Sequence, residues 1–123
     1  MKTTIGKNLS KAKEILENNG IVGVPTETVY GLAANALNQK AISNLFSLKK
    51  RPLSNPLSLQ VASIDKCMPL VESFPENALL LAMKFWPGPL TLLLPKSKLV
   101  PSIVNANKKE IGLRIPDSKL TLK

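Results

Sequence analysis

The sequence contains no histidine and only one cysteine, Cys67, among its 123 residues. An internal disulfide is therefore impossible, and so is a zinc site built from cysteine and histidine. Catalytic triads and dyads that use an imidazole as general base are excluded for the same reason. A single thiol is compatible with a reducing compartment, and we expect a cytoplasmic protein.

Long apolar runs are also missing. The longest, at residues 78–83 and 90–94, are far shorter than the ~20 residues that a membrane-spanning helix needs. Residues 1–13 lack the apolar centre of a signal peptide. We expect no membrane association. The composition, 44% hydrophobic and 20% charged, is that of a globular protein, and the length fits a single domain.

Acidic residues are scarce: 8 aspartates and glutamates stand against 17 lysines and arginines, which gives a net charge of +9. This surplus favours a polyanionic partner such as a nucleotide or RNA, although a solvated lysine-rich surface is the more common explanation. Only two of the cations, Arg51 and Arg114, are arginines. Because a planar guanidinium can bind phosphate or carboxylate through two hydrogen bonds, these two positions are candidate anion sites.

The spacing of apolar residues and of turn residues predicts helices that alternate with strands. Helices are expected around residues 9–16, 41–48, 63–71 and 75–85, and strands around 21–24, 57–62, 90–94 and 111–115. This order predicts an α/β or α+β fold with a mixed sheet. Residues 117–123 resemble the start of a further helix, which suggests a truncated chain.

Two polar segments suit a nucleotide or a small polar ligand. The sequence PTETVYGL, residues 25–32, follows a predicted strand, where ligands bind in open α/β sheets. Alternatively, Thr26 could cap a helix that carries Glu27 in its first turn. The cations at residues 49–51, followed by Asn55, could neutralise phosphates or complement a helix dipole. Because the glycine patterns of phosphate loops are absent, phosphate binding here would depend on side chains.

Two further segments contain the only tryptophan and the second arginine. The sequence WPGPLT, residues 86–91, is more typical of a structural turn than of a ligand site. Arg114 lies in the apolar strand GLRIP, where a charge is costly unless it meets an anion. A structural salt bridge and a substrate carboxylate both satisfy that need. The residues alone therefore predict a small basic domain that binds a nucleotide and a carboxylate.

Taken together and in this order, PTETVYGL, KKRPLSNPL, FWPGPLTLLL and IGLRIP resemble the YrdC family of threonylcarbamoyl-AMP synthases. The resemblance implies a twisted, open mixed sheet with flanking helices around a positively charged cavity. It also implies an enzyme that joins L-threonine, bicarbonate and ATP into threonylcarbamoyl-AMP and releases pyrophosphate, with Mg²⁺ on the phosphates. A tRNA-modifying transferase complex would then move the threonylcarbamoyl group to the adenosine beside the anticodon.

The resemblance also implies two groups of ligand contacts. For ATP these are Lys49, Arg51, Asn55 and, through its main chain, Glu110; for threonine they are Thr28, Tyr30, Gln60 and Arg114. Amine attack on a bicarbonate-derived carbon, followed by attack of the carbamate on the α-phosphate, needs no protein nucleophile. We therefore expect no catalytic side chain and no protein metal site, with catalysis by positioning and charge neutralisation.

The sequence departs from the family pattern at two positions and in length. Gln60 and Ser118 stand where histidine is usual, and glutamine can still form hydrogen bonds to a ligand. The Ser-Ala-Asn segment of the family lies beyond residue 123. We therefore expect residues 1–123 to form a single, incomplete YrdC-like domain.

Two alternatives stay open at this point. A non-catalytic RNA- or nucleotide-binding fragment of the same fold is consistent with the charge, although an aromatic content of 4% gives little support for base stacking. The hydrogenase-maturing carbamoyltransferase also contains a YrdC-like domain. That reading is disfavoured because no zinc-finger cysteines precede the first motif.

Overall fold

Helices and strands alternate along the chain in the computed structural model, which describes residues 3, 5–118 and 121. The helices are α1 (Leu9–Glu17), α2 (Gln39–Lys49), α3 (Ile64–Cys67) and α4 (Glu76–Phe85), and the strands are β1 (Val22–Val24), β2 (Gly31–Ala33), β3 (Ser58–Gln60), β4 (Leu92–Pro95) and β5 (Glu110–Arg114). Two short 3₁₀ turns lie at Met68–Leu70 and Ser102–Asn105. The predicted helix start at residues 117–123 lies largely outside the described residues.

The strands form two small sheets. β1 and β2 pair antiparallel, and the other sheet has the order β3-β5-β4. Its central strand β5 runs parallel to β3 and antiparallel to β4, which confirms the predicted mixed sheet. Gly112 of β5 is closely packed, because a Cβ atom there would lie 3.0 Å from Ser58 Oγ and 3.1 Å from Thr91 Cγ2.

One face of the three-stranded sheet forms the core. Leu59, Leu113 and Leu92 are buried on neighbouring strands, and the core cluster joins them to buried side chains of α2 and α4. The residues that alternate with them, including Gln60 and the 67%-exposed Leu93, lie on the opposite face. Side chains of a strand alternate between its two faces, and Gln60 and Leu93 are exposed, so solvent reaches this second face of the sheet.

The predicted helices are present, and local capping explains where the longer ones begin. Asn8 accepts a hydrogen bond from Lys11 N at 3.1 Å, and Asn38 accepts one from Ala41 N at 2.9 Å. The helix expected at residues 63–71 is divided into α3 and a 3₁₀ turn. Pro69 explains the division, since it has no N–H group to continue the α-helical pattern.

The segment at residues 25–30 does not cap a helix, so that alternative was wrong. The Thr26 hydroxyl donates to Val29 O at 2.7 Å and accepts from the Thr28 and Val29 N–H groups, each at 3.3 Å. These bonds close a turn that leads into β2, a strand that we did not predict. Its three residues, Gly31–Ala33, carry no β-branched side chain and therefore give little strand signal.

Over the residues that the structure describes, no helix has the length and apolar character needed to cross a membrane.

Candidate functional site

Two of the predicted threonine contacts are neighbours across the open sheet. Gln60 ends β3, Arg114 ends β5, and the two residues pair in register in the parallel ladder. They therefore lie at the carboxyl edge of these strands, the edge at which open α/β sheets bind ligands. The structure thus brings together a neutral hydrogen-bonding group and a guanidinium that the sequence separates by the whole α3–α4–β4 region.

Arg114 is held by two segments that lie far from it in the sequence. Its Nη2 donates to Oε1 of Glu27, and its Nε donates to the carbonyl oxygen of Gly88 at 3.0 Å. The side chains of Arg114 and Glu27 are only 15% and 19% exposed. The structural salt bridge considered from the sequence is therefore present, while binding of a substrate carboxylate by Arg114 stays a prediction.

Glu27 is ionised at neutral pH. Partial burial raises the pKa of its carboxyl group, but hydrogen bonds from its own backbone N–H and from that of Asp117, with the charge of Arg114, outweigh this effect. The net result is a pKa below the ordinary value of 4.5. The Asp117 N–H bond reaches Oε2 of Glu27 at 2.9 Å, so both carboxylate oxygens have a partner.

The other two predicted threonine contacts lie on the turn that carries Glu27. Thr28 directly follows Glu27, and its hydroxyl lies 3.0 Å from that of Thr26. Tyr30 is 78% exposed at the end of the turn. The ion pair of Glu27 with Arg114 therefore places Thr28 close to the end of β5, whereas the Tyr30 ring lies in solvent.

Two of the predicted ATP contacts meet in the loop between α2 and β3. Arg51 donates from Nε to the carbonyl oxygen of Asn55 at 3.1 Å and from Nη2 to that of Pro56 at 2.8 Å. Lys49 is the last residue of α2, and the left-handed conformation of Lys50 turns the chain towards Arg51. Of these three consecutive cations, Arg51 is held by hydrogen bonds to the main chain.

Glu110, the fourth predicted ATP contact, begins β5. Its carbonyl oxygen accepts a hydrogen bond at 2.7 Å from Nδ2 of Asn105, which also donates to Lys108 O at 2.7 Å. Asn105 is only 1% exposed. Glu110 and Arg114 are the two ends of one strand, so their Cα atoms are about 13 Å apart at roughly 3.3 Å per residue.

The predicted site residues therefore form two groups, not one. The ATP group lies at the start of β3 and β5, and the threonine group lies at the end of the same two strands. Sequence reasoning missed two residues that organise these groups, Glu27 and Asn105. Glu27 lies within a motif already recognised as polar, but Asn105 resembles an ordinary loop residue and gave no signal.

The described residues also line two clefts. One, of about 410 Å³, is lined by Leu53 of the loop between α2 and β3, by Gln39 of α2 and by residues in and around the 3₁₀ turn at Ser102–Asn105. The other, of about 450 Å³, lies between α1 and β1. Within the described part of the chain, no three histidine, cysteine, aspartate or glutamate side chains are grouped so that they could hold a metal ion.

Comparison with known proteins gives consistent matches. The sequence profile of the Sua5/YciO/YrdC family, described as "Telomere recombination", matches residues 14–123. Threonylcarbamoyl-AMP synthase of Pyrococcus abyssi is 43% identical over 112 residues, which are 91% of this chain and 33% of that protein. The protein of the same name from Bacillus subtilis is 40% identical over 121 residues, 98% of this chain and 35% of the relative.

A solved structure agrees with these matches. The crystal structure of P. abyssi Sua5 complexed with L-threonine has a TM-score of 0.92 at 40% identity and covers 98% of this chain and 36% of its own. This chain therefore spans about a third of the length of these relatives. The profile match, the two relatives and the shared fold, together with the four motifs, establish that the chain belongs to the Sua5/YciO/YrdC family.

Proposed function

We propose that this chain provides the threonine- and ATP-binding surface of a threonylcarbamoyl-AMP synthase. The overall reaction forms L-threonylcarbamoyladenylate from L-threonine, bicarbonate and ATP, with release of pyrophosphate. The observation that carries the proposal is the placement of the two arginines at opposite ends of the parallel pair β3–β5. Such a pair suits two substrates bound side by side, with the threonine carboxylate at one end and the ATP phosphates at the other.

Threonine binds at the carboxyl edge in this proposal. The guanidinium of Arg114 receives the α-carboxylate, and the Gln60 amide and the Thr28 hydroxyl form neutral hydrogen bonds to the amino acid. The partial burial of Arg114 supports this assignment, because a charge-assisted hydrogen bond strengthens when water is excluded. P. abyssi Sua5 was crystallised in complex with L-threonine, and this supports threonine as a ligand here.

ATP binds at the opposite end of β3 and β5. Arg51 and Lys49 neutralise phosphate charge, Asn55 adds a hydrogen bond, and the main chain of Glu110 contacts the nucleotide. Mg²⁺ enters as the counterion of ATP, because this ion usually binds through substrate phosphates with few protein ligands.

The chemistry follows from positioning. The threonine amine attacks the bicarbonate-derived carbon, which yields a carbamate and water. A carbamate oxygen then attacks the α-phosphorus of ATP; the bond from that phosphorus to the β-phosphate oxygen breaks, and pyrophosphate leaves. Held cations lower the barrier by neutralising charge on the phosphates, so no side chain acts as nucleophile.

The product passes to a tRNA-modifying transferase complex in the cytoplasm. Weak direct RNA binding is supported by the net charge of +9. The same charge supports the alternative function, a non-catalytic fragment that binds RNA or nucleotide. The two functions differ in whether pyrophosphate is released.

The test is pyrophosphate release from ATP, measured with all substrates and with threonine or bicarbonate omitted in turn. We expect release only when both co-substrates are present. Threonine and ATP binding are measured in parallel by calorimetry, so that a chain that binds both ligands without turnover is recognised. Pyrophosphate release that does not depend on threonine would contradict the proposal. Failure of a folded chain to bind either ligand would contradict it as well.

A further inference from the structure

Glu27 ties the turn at residues 25–30 to the end of β5, although it is not among the predicted ligand contacts. Its Oε1 accepts a hydrogen bond from Nη2 of Arg114, which lies 87 residues later in the chain. Its Oε2 accepts one from the backbone N–H of Asp117, 90 residues later, at 2.9 Å. Because the Asp117 contact uses a main-chain donor, it holds the carboxylate independently of the Arg114 side chain. The Glu27 carboxylate is therefore held in place by a second donor besides Arg114.

The two bonds of Arg114 use Nε and Nη2 of its guanidinium group. Nε bonds to Gly88 O at 3.0 Å, and Nη2 bonds to the Glu27 carboxylate. The N–H groups of Nε and Nη2 lie side by side along the same edge of the planar group. Neither bond uses Nη1, and the Nη1–Nη2 edge is a second fork that fits a carboxylate with two parallel hydrogen bonds.

We propose that Glu27 is a positioning residue: with the Gly88 carbonyl, it fixes the guanidinium of Arg114 so that the Nη1–Nη2 edge receives the substrate carboxylate. This inference rests on the proposed function, since it assumes that threonine binds at Arg114. It assigns Glu27 no contact with the reacting atoms. Its effect on threonine passes through the orientation of Arg114.

The opposite role, in which Glu27 competes with the substrate carboxylate for Arg114, fits the geometry less well. A competitor would leave Arg114 when substrate binds, but the Glu27 carboxylate is also held by Asp117 N. A carboxylate on the second fork needs no displacement of Glu27. Arg51 follows the same pattern, because Nε and Nη2 bond to the carbonyl oxygens of Asn55 and Pro56 and neither bond uses Nη1.

The test is a double-mutant cycle on threonine affinity, with Glu27→Gln made in the wild-type and the Arg114→Lys backgrounds. Glu27→Gln keeps the size of the side chain and removes its charge. In the wild-type background we expect the threonine Kd to rise about tenfold, the size of a charge-assisted hydrogen bond, with less than about a twofold change for ATP. In the Arg114→Lys background, Glu27→Gln should leave the threonine Kd unchanged, because lysine has no fork to orient.

Two controls separate positioning from a general loss of structure. Glu17→Gln removes an exposed partner of Lys13 on α1 and should change neither Kd. Glu27→Asp keeps the charge on a shorter side chain and should recover part of the threonine affinity. Thermal unfolding of each variant identifies any that fails to fold, and Glu27→Asp then replaces Glu27→Gln in the cycle.

The outcomes are distinguishable. If the wild-type chain binds no threonine, the proposed function fails. If threonine binds and Arg114→Lys weakens it, but Glu27→Gln leaves the Kd unchanged or lowers it, only the positioning role fails, and a lowered Kd identifies Glu27 as a competitor. Equal effects of Glu27→Gln in both backgrounds would also overturn the inference.

Discussion

Gln60 and Arg114 pair in register at the carboxyl edge of the parallel strands β3 and β5. The next two residues inward on the same face, Ser58 and Gly112, are also paired. Gly112 has no side chain, and Ser58 and Thr91 pack closely over it. The pairing places a hydrogen-bonding amide next to a guanidinium and defines the threonine end of the proposed site.

Arg114 and Arg51 should affect different ligands. We expect Arg114→Ala to raise the Kd for threonine about tenfold or more, because hydrogen bonds to charged groups contribute about 1.5–3 kcal/mol, and to change ATP binding little. Arg51→Ala should raise the Kd for ATP and change threonine binding little. Each variant is the control for the other in calorimetric titrations with both ligands. Equal weakening of the same ligand by both variants would show that the division of the site is wrong.

Gln60→Ala should weaken threonine binding moderately. A neutral hydrogen bond contributes about 0.5–1.5 kcal/mol, so a rise in Kd of about two- to tenfold is expected. Gln60→His, which restores the residue usual in the family pattern, should keep most of the affinity. Ser58→Ala, two residues earlier on the same face of β3, is the matched control. A Gln60→Ala variant with unchanged threonine Kd would remove Gln60 from the site.

Asn105→Ala should destabilise the protein. The buried side chain donates to the carbonyl oxygens of Lys108 and Glu110, and its loss leaves both without these bonds. A cost of about 1–3 kcal/mol is expected in urea unfolding, since an unpaired buried polar group is expensive. Asn44→Ala removes an exposed amide side chain from α2 and serves as the control for the loss of an amide. Equal midpoints for the two variants would contradict a structural role for the Asn105 amide.

Acid should weaken the contact between Glu27 and Arg114. The pKa of Glu27 is lower in the folded chain than its ordinary value of 4.5, so the ionised form is bound more favourably in the folded state. This stabilisation is fully present above about pH 4.5 and is lost as the pH falls through the folded-state pKa. Urea midpoints measured between neutral and acidic pH should fall less for Glu27→Gln than for wild type. If the urea midpoints of wild type and Glu27→Gln fell in parallel with pH, Glu27 would not contribute to the pH dependence of stability.

Cys67 should be unreactive in the folded chain. Its side chain is fully buried, and burial raises the pKa of the thiol to about 11, so the nucleophilic thiolate is scarce at neutral pH. A thiol reagent should react only after denaturant is added, and the rate therefore reports whether the 123-residue chain folds. Rapid labelling without denaturant would mean that the core around Cys67 is open.

Much of the fold was predictable from local sequence. The α1 and α2 helices begin at asparagine caps next to amphipathic segments, and the segments around β3, β4 and β5 are apolar and separated by turn residues. Membership of the family followed from four motifs in order. These features depend on neighbouring residues, so the sequence determined them without knowledge of the distant contacts.

The contacts that organise the site could not be predicted in the same way. Nothing in the sequence near Glu27 identifies Arg114 as its partner. Likewise, nothing near Asn105 indicates that its side chain is buried and bonds to the main chain at the start of β5. The turn after β1 was misassigned as a possible helix cap because Thr26 can serve either structure. Whether the segment forms a turn or a helix cap depends on the pairing of β2 with β1.

The sequence by itself therefore determined the longer helices, all the strands except β2, the basic charge, the absence of imidazole and the family. Only the tertiary structure decided which groups meet: Glu27 with Arg114, Arg114 with Gln60, and Arg51 with the carbonyl oxygens of Asn55 and Pro56. It also placed the two predicted groups at opposite ends of β3 and β5. The physical reason is that strand register and loop closure set these distances, and both depend on packing between segments that are remote in the chain.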